Sequence, residues 1–214
     1  WKNPDFKWLD PSNGIGNFPI VVYYKLFNSL TSWEPDDSKR SKHIIENMLY
    51  MVEINNENNE QCKKIFTIID KNSKPNIFCQ DFLEEFDINN FDIIMSNPPF
   101  SKKVGPNKNH YIWNHFVKKS FTHLKKNGYL LFIHPNGWRS ISGRFRDIFN
   151  LINERNLISL TMRDYKTGED AFKGAVTNYD YYCLNNIVTD KNITKINDID
   201  KKTYNINLNK YKFI

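Results

Sequence analysis

The tetrapeptide Asn97-Pro98-Pro99-Phe100 brings together two hydrogen-bond acceptors and a ring. Asn97 offers a side-chain carbonyl and Pro98 a backbone carbonyl, while the two prolines fix their φ angles, so the acceptors are set in advance rather than recruited. Such a pair suits the two hydrogens of a conjugated, planar nitrogen, whose lone pair it localises. Phe100 adds a ring to stack on a flat substrate. Taken alone, four such residues are also an ordinary proline-rich turn after a strand.

A second constellation lies upstream, in Asp10-Pro11-Ser12-Asn13-Gly14-Ile15-Gly16-Asn17-Phe18. Two glycines mark a sharp turn and a close approach of backbone to ligand, just before a helix whose N-terminal N–H groups are unsatisfied. That suits a nucleotide-like ligand. The dinucleotide fingerprint G-x-G-x-x-G fails because Pro19 stands where its third glycine belongs, which argues against NAD or FAD. Glu53 is placed to accept from ribose hydroxyls. Asp81 offers an acceptor for an adenine amine and Phe82 a ring to stack on it, or else a ring for the core.

These residues need a scaffold, and the apolar periodicity supplies one. Residues 6–10 read as a strand ending at a tight turn, followed by a helix carrying Phe18, Val21, Val22, Leu26 and Leu30. Residues 31–42 read as a loop in which Ser38 caps a helix reaching Asn47. Strands are expected at 48–53, 76–78, 91–96, 129–133, 157–162 and 179–184, and helices at 57–66, 111–126 and 144–154. Residues 101–110 are expected as a loop rich in Lys, Gly and Asn, and Asn127-Gly128 as the stop of the helix before it. The alternation implies an α/β sheet with helices on both faces, whose ligands bind at the carboxyl ends of the strands. Asp10, Glu53, Asp81 and Asn97 all fall at such ends. Residues 193–214 alternate differently and read as a hairpin-like tail.

In this order, DPSNGIGNF, a strand ending in Glu53, Asp81-Phe82 and then NPPF, the chain resembles class I methyltransferases over roughly residues 5–186. It is most similar to adenine-specific N6 DNA methyltransferases of restriction-modification type. The resemblance implies a Rossmann-like fold with a mixed, mostly parallel seven-stranded sheet, S-adenosylmethionine as cofactor, and DNA with a flipped-out adenine as substrate. By the same resemblance Gly14 and Gly16 border the methionine portion, with Pro11 and Phe18 completing the motif. Asp10 faces the amino-acid end, Glu53 the ribose, and Asp81 with Phe82 the adenine, while Asn97 belongs to both cofactor and catalytic sets. Phe172 falls where the family carries a second aromatic against the flipped base, though it suits a core equally. A catalytic domain over 1–190 and a tail or start of a target-recognition region over 191–214 are expected. So are an additional segment upstream, since the chain starts at Trp1 and enters a strand almost at once, and a separate or fused target-recognition domain.

Charge supports the choice of partner. Residues 1–96 carry 10 Lys+Arg against 15 Asp+Glu, whereas residues 97–175 carry 14 against 5, so the positive charge begins at the tetrapeptide. Lys102, Lys103 and Lys108, with Arg139, Arg144 and Arg146, are candidates to hold phosphates, each contact releasing counterions. A solvated Lys-rich surface is the plainer alternative. The three cysteines (Cys62, Cys79, Cys183) are far apart and odd in number, against a disulfide framework or a zinc site, and the five histidines do not repair the case for a metal. No metal, no membrane span and a cytoplasmic setting are expected. Protein glutamine and RNA guanine-N2 methyltransferases use similar loops, and a catalytically inactive DNA-binding domain of the same fold is the non-enzymatic alternative.

Overall fold

The computed structural model describes residues 1–84, 86–105, 108–166, 177–190, 193–208 and 210; for 108 and 109 it describes the backbone alone. The chain divides into two compact units, Trp1–Ser96 and Asn97–Ile214.

The first unit is a parallel α/β layer. Its strands are β1 (Trp8–Asp10), β2 (Leu49–Glu53), β3 (Asn76–Cys79) and β4 (Phe91–Ser96), in the order β3-β2-β1-β4 with every pairing parallel. Helix α1 (Asn17–Ser29) buries Pro19, Val22, Tyr23 and Leu26, a stripe of three-and-four spacing that faces the core, while Val21 stays exposed. Helix α2 (Asp37–His43) is capped by Asp36, whose carboxylate accepts from the Lys39 N–H at 2.9 Å, and not by Ser38. It passes into a wider π-helical turn, Ile44–Met48, that buries Ile44, Ile45 and Met48. Helix α3 (Asn56–Ile69) is capped by Asn55. Trp8, Leu26, Met51, Cys62 and Phe66 belong to the shared core. Because the four strands run parallel, their carboxyl ends, carrying Asp10, Glu53, Cys79 and Ser96, lie on one edge.

The second unit opens with a hairpin, β5 (Ser101–Gly105) and β6 (Lys108–Tyr111), where a loop was expected. The exposed lysines of β5 hide a strand from any reading that follows hydrophobicity. Helix α4 (Trp113–His123) stops before the expected Lys126. Beyond it, Asn185 donates to the carbonyls of Asn127 (2.7 Å) and Gly128 (3.2 Å), and Asn186 donates to that of Lys125 (3.1 Å), holding the segment extended. Asn127 itself sits at φ 67°, a conformation asparagine tolerates and a helix does not.

Strand β7 (Leu124–Pro135) then pairs with β9 (Tyr179–Val188) from Tyr129 onward. Helix α5 (Arg146–Asn153) precedes β8 (Arg155–Arg163). The order β7-β9-β8-β10-β11 places the antiparallel β9 between β7 and β8. Strand β10 (Ile193–Asn197) adds parallel to β8 and forms a hairpin with β11 (Thr203–Asn207). Four strands in the first unit and β7, β8 and β9 in the second match the seven expected, and the β10–β11 hairpin extends beyond them.

Candidate functional site

In the first unit the glycine turn and the ends of β1, β2 and β4 are stitched together by side-chain bonds. Asp10 closes β1 with its carboxylate 2% exposed. Its Oδ1 accepts from the Ser12 N–H (3.1 Å) and the Ser96 hydroxyl (3.4 Å), and the Ser12 and Ser96 hydroxyls lie 2.6 Å apart. Burial disfavours the charged form and pushes the Asp10 carboxyl up to about 7, against the opposing effect of those two donors; the nearby Glu53 carboxylate raises it further.

Past the buried Pro11, the Asn13 N–H donates to the Val52 carbonyl at 3.0 Å, docking the turn on β2. Gly14 sits at φ +55° with nothing within 4 Å of where a Cβ would stand. Gly16 sits at φ +95°, and a Cβ there would meet Cys62 Sγ at 2.7 Å. Both conformations penalise any L side chain, so here the glycines are required by backbone and by crowding. The Gly14 N–H donates to Glu53 Oε2 at 2.9 Å and the Asn55 N–H to Oε1 at 2.7 Å, which fixes the Glu53 carboxylate and leaves each oxygen a further lone pair. Phe18 packs half-buried against the core at the start of α1. Thus Asp10, Gly14, Gly16 and Glu53 share one turn-and-strand-end cluster.

Asp81 follows β3 and accepts from the Leu83 N–H at 2.8 Å, so its carboxylate shapes a turn. Phe82 is a correction. Its ring is 1% exposed and packs near Phe86 with centroids 5.7 Å apart, which leaves no face open to stack on an adenine. Core packing was the alternative for this residue, and burial decides for it.

The tetrapeptide opens the second unit, directly after β4 in the chain. Asn97 Oδ1 is buried and, among the described residues, has no hydrogen-bond partner. A buried acceptor left unpaired costs about 1–3 kcal/mol. Pro98 is buried, Pro99 exposed and Phe100 half-buried; the Phe100 carbonyl accepts from the Ile112 N–H at 3.2 Å, closing the foot of the β5–β6 hairpin. Phe172 lies outside the described residues.

Among the cations, Lys102 and Lys103 are exposed on β5, across from His110 and Asn109. Lys108 lies in β6, but its side chain is outside the description. Arg144 is exposed, with its guanidinium 5.2 Å from the centre of the Tyr111 ring. Between Asn97 and Arg146 the sequence contains ten Lys+Arg and not one Asp or Glu.

Arg139 belongs elsewhere. Its Nε lies 3.2 Å from Oδ2 of Asp180, a fully buried carboxylate that also accepts from Trp138 Nε1 at 2.9 Å, and its Nη1 lies 3.0 Å from Met162 Sδ. Burial raises the Asp180 carboxyl to about 6 while Arg139 and Trp138 pull it back. Arg139 is therefore committed to an internal charge and not to a phosphate. Arg139→Ala is expected to destabilise the protein by about 3 kcal/mol, the low end for breaking a buried pair because the Arg139 side chain is 23% exposed. Thermal unfolding reads this directly; an unchanged midpoint would restore Arg139 as a surface residue.

Beside this pair lies a buried aromatic group that sequence reasoning missed. His134 stacks on Trp113 (4.3 Å between centroids, 14° between planes) and its Nε2 lies 3.1 Å from the Tyr182 hydroxyl. Burial lowers the His134 pKa to about 4, so the ring is neutral near pH 7. The signal was present: a His closing the apolar run 130–133 and an Asp inside Tyr179–Tyr182 are polar groups where strands want none.

Among the described residues no helix is long and apolar enough to cross a membrane. A family model described as Eco57I restriction-modification methylase matches residues 22–172. An uncharacterized adenine-specific methylase of Mycoplasma pneumoniae (strain ATCC 29342 / M129 / Subtype 1) is 40% identical over 52 residues, which are 24% of this chain and 12% of that protein. Among solved structures, a modification subunit assigned to a type I restriction enzyme of Vibrio vulnificus YJ016 superposes with TM-score 0.70 at 16% identity, over 96% of this chain and 47% of that one. A Listeria monocytogenes protein assigned to the class I S-adenosylmethionine-dependent methyltransferases gives TM-score 0.64 at 15% identity, over 92% of this chain and 59% of that one. The chain thus spans less than two thirds of each of these relatives. At such identities the structural likeness is one of fold, and the fold is that of the class I methyltransferases.

Proposed function

The chain belongs to the Eco57I restriction-modification methylase family, and from that premise we propose that it transfers a methyl group from S-adenosylmethionine to the N6 amine of a flipped-out adenine in DNA. The observation that carries this reading is the buried Oδ1 of Asn97, which has no hydrogen-bond partner among the described residues. Together with the Pro98 carbonyl it would take the two N6 hydrogens, pull the nitrogen out of conjugation and aim its lone pair.

The residues of the first unit fit the cofactor. A buried Asp10 carboxylate matches an α-ammonium, the open space over Gly14 and the turn to Gly16 admit a methionine portion, and the remaining lone pairs of Glu53 match ribose hydroxyls. Asp81 remains the candidate acceptor for the adenine amine, without Phe82. When bound, S-adenosylmethionine supplies an electrophilic methyl group on a positively charged sulfur. The chain's own residues then need only orient the amine and exclude water, because the attacking nitrogen is neutral and its proton can leave afterwards. Phe100, and Phe172 as a second aromatic, would stack on the flipped base and offset the few kcal/mol that flipping costs.

Residues 1–190 act in this reading as the catalytic domain, 191–214 as the approach to a target-recognition region, and a separate or fused recognition domain supplies the sequence preference. Lys102, Lys103, Lys108 and Arg144 would hold phosphates around the flipped nucleotide, inside the cell where the DNA is. Replacing Lys102 and Lys103 by Ala should flatten the plot of log affinity against log salt by roughly 2 units, about 0.9 for each lost phosphate contact, with sequence preference unchanged. Fluorescence anisotropy with duplex DNA at several salt concentrations measures the slope; an unaltered slope removes both lysines from the interface.

The decisive experiment is detection of N6-methyladenine in DNA from cells expressing the full-length protein, with Asn97→Ala as control. No excess over the control overturns the reading. Labelled transfer to RNA or to a release-factor-like protein instead of DNA would redirect it to the other planar nitrogens.

A further inference from the structure

Ser96 is fully buried at the last position of β4, and its hydroxyl reaches two residues of the cofactor turn at once, Ser12 Oγ at 2.6 Å and Asp10 Oδ1 at 3.4 Å. A serine hydroxyl has a single hydrogen to give. If Ser96 gives it to the Asp10 carboxylate, Ser12 must give its own to Ser96, so the chain of donors runs in one direction, from Ser12 through Ser96 to Asp10. The Ser12 N–H lands on the same Oδ1 at 3.1 Å. One carboxylate oxygen is thereby filled by protein donors. The other, Oδ2, has no donor among the described residues and stays available for an incoming cation.

We propose that Ser96 is a positioning residue, whose hydroxyl fastens the Asp10 carboxylate and the Ser12 turn to the end of β4 and so sets how firmly the cofactor's amino-acid end is held. The inference rests on the reading of Asp10 as the partner of that end. Ser96 touches no substrate; it acts through Asp10 and Ser12. Its location gives the relay a second consequence, because the next residue in the chain is Asn97. The segment that feeds the catalytic tetrapeptide is anchored to the carboxylate that meets the cofactor.

The titratable groups that face Asp10 are the Glu53 carboxylate and the Cys62 thiol, and burial holds that thiol up at about 12, well away from the range in which Asp10 titrates. Binding of S-adenosylhomocysteine should therefore follow a bell in pH. Its acid limb reports Asp10, and its alkaline limb reports the ligand's own α-amino group, whose ordinary value is about 8. A hydrogen bond to the charged form favours that form, so losing the Ser96 donor moves the acid limb to higher pH.

The test is calorimetric titration of the full-length protein with S-adenosylhomocysteine across this pH range. Ser96→Ala is expected to weaken binding roughly tenfold, the scale of a hydrogen bond to a charged group, and to shift the acid limb upward. Ser12→Ala, at a half-buried position, should shift the limb in the same direction. Ser96→Thr, which keeps the hydroxyl, should return it towards the wild type. A packing role alone would lower stability and leave the limb in place, so an unmoved limb in both alanine variants overturns the proposal. Failure of the wild-type protein to bind S-adenosylhomocysteine at any pH would overturn the underlying cofactor reading, and the proposal with it.

Discussion

Asn97→Ala is expected to lower kcat for methyl transfer to DNA by roughly 10²–10³-fold, the cost of removing one preorganised acceptor from a site that stabilises developing charge. The free amine of adenine is planar because its lone pair is shared with the ring. Its attack on an electrophilic methyl requires that sharing to be broken, and the only groups proposed to break it are the Asn97 and Pro98 carbonyls. The same substitution should leave the fold at least as stable as before. Among the described residues Asn97 Oδ1 is buried without a partner, a state that costs about 1–3 kcal/mol, and alanine removes the atom that pays it. Loss of activity with an unchanged or raised unfolding midpoint is a signature that a structural asparagine cannot give. Asn97→Asp, which keeps an acceptor at the same place, should retain part of the rate. Single-turnover transfer of a labelled methyl group to duplex DNA, read beside thermal unfolding of the same preparations, checks both halves. Equal rates for wild type and Asn97→Ala would sink the mechanism.

How much of this was legible in the sequence follows from what each feature does to hydrophobicity. Strand β4 is an apolar run bounded by Asn on both sides, and its expected limits, 91–96, are those observed. Gly14, Gly16 and Glu53 declared themselves because special backbone and a carboxylate at a strand end are local facts, and the Gly14–Glu53 bond joins two such places across 39 residues. The β5–β6 hairpin left no such trace, since the adjacent Lys102 and Lys103 make both faces of β5 polar. Phe82 and Arg139 are hard to read from sequence for a different reason. A ring that stacks on a ligand and a ring that fills a core look identical in sequence, and an Arg reads as surface until its partner, Asp180, is found buried 41 positions away. The Ser12–Ser96 relay is a contact across 84 residues between two unremarkable serines, and only the packing of β1 beside β4 brings it about.

Asp10→Asn separates what the protein gives up in stability from what it gains in binding. In the folded protein the Asp10 carboxyl titrates near 7, against 3.8 for the ordinary group, with burial as the largest cause. The native state therefore holds a proton that the unfolded chain releases between about pH 4 and pH 7. The sign is that of a raised native pKa: the stability is fully present below the unfolded value, falls as pH climbs through the window, and is lost above 7. A shift of about 3 units corresponds to roughly 4 kcal/mol at most. Asparagine has no proton to lose. Without cofactor, the variant should match the wild type near pH 4 and exceed it by a few kcal/mol at pH 8, as read by chemical denaturation across that range. A difference that does not change with pH would mean that Asp10 is not forced to ionise in a buried place. With cofactor the order reverses. The buried anion is what an α-ammonium would pair with, and losing one member of such a pair typically costs 2–5 kcal/mol of binding, so affinity should fall on the order of 10²-fold. A carboxylate that weakens the empty fold and strengthens the loaded one is poised for its ligand. That opposition is how Asp10 is distinguished from an acidic residue that merely ends a strand.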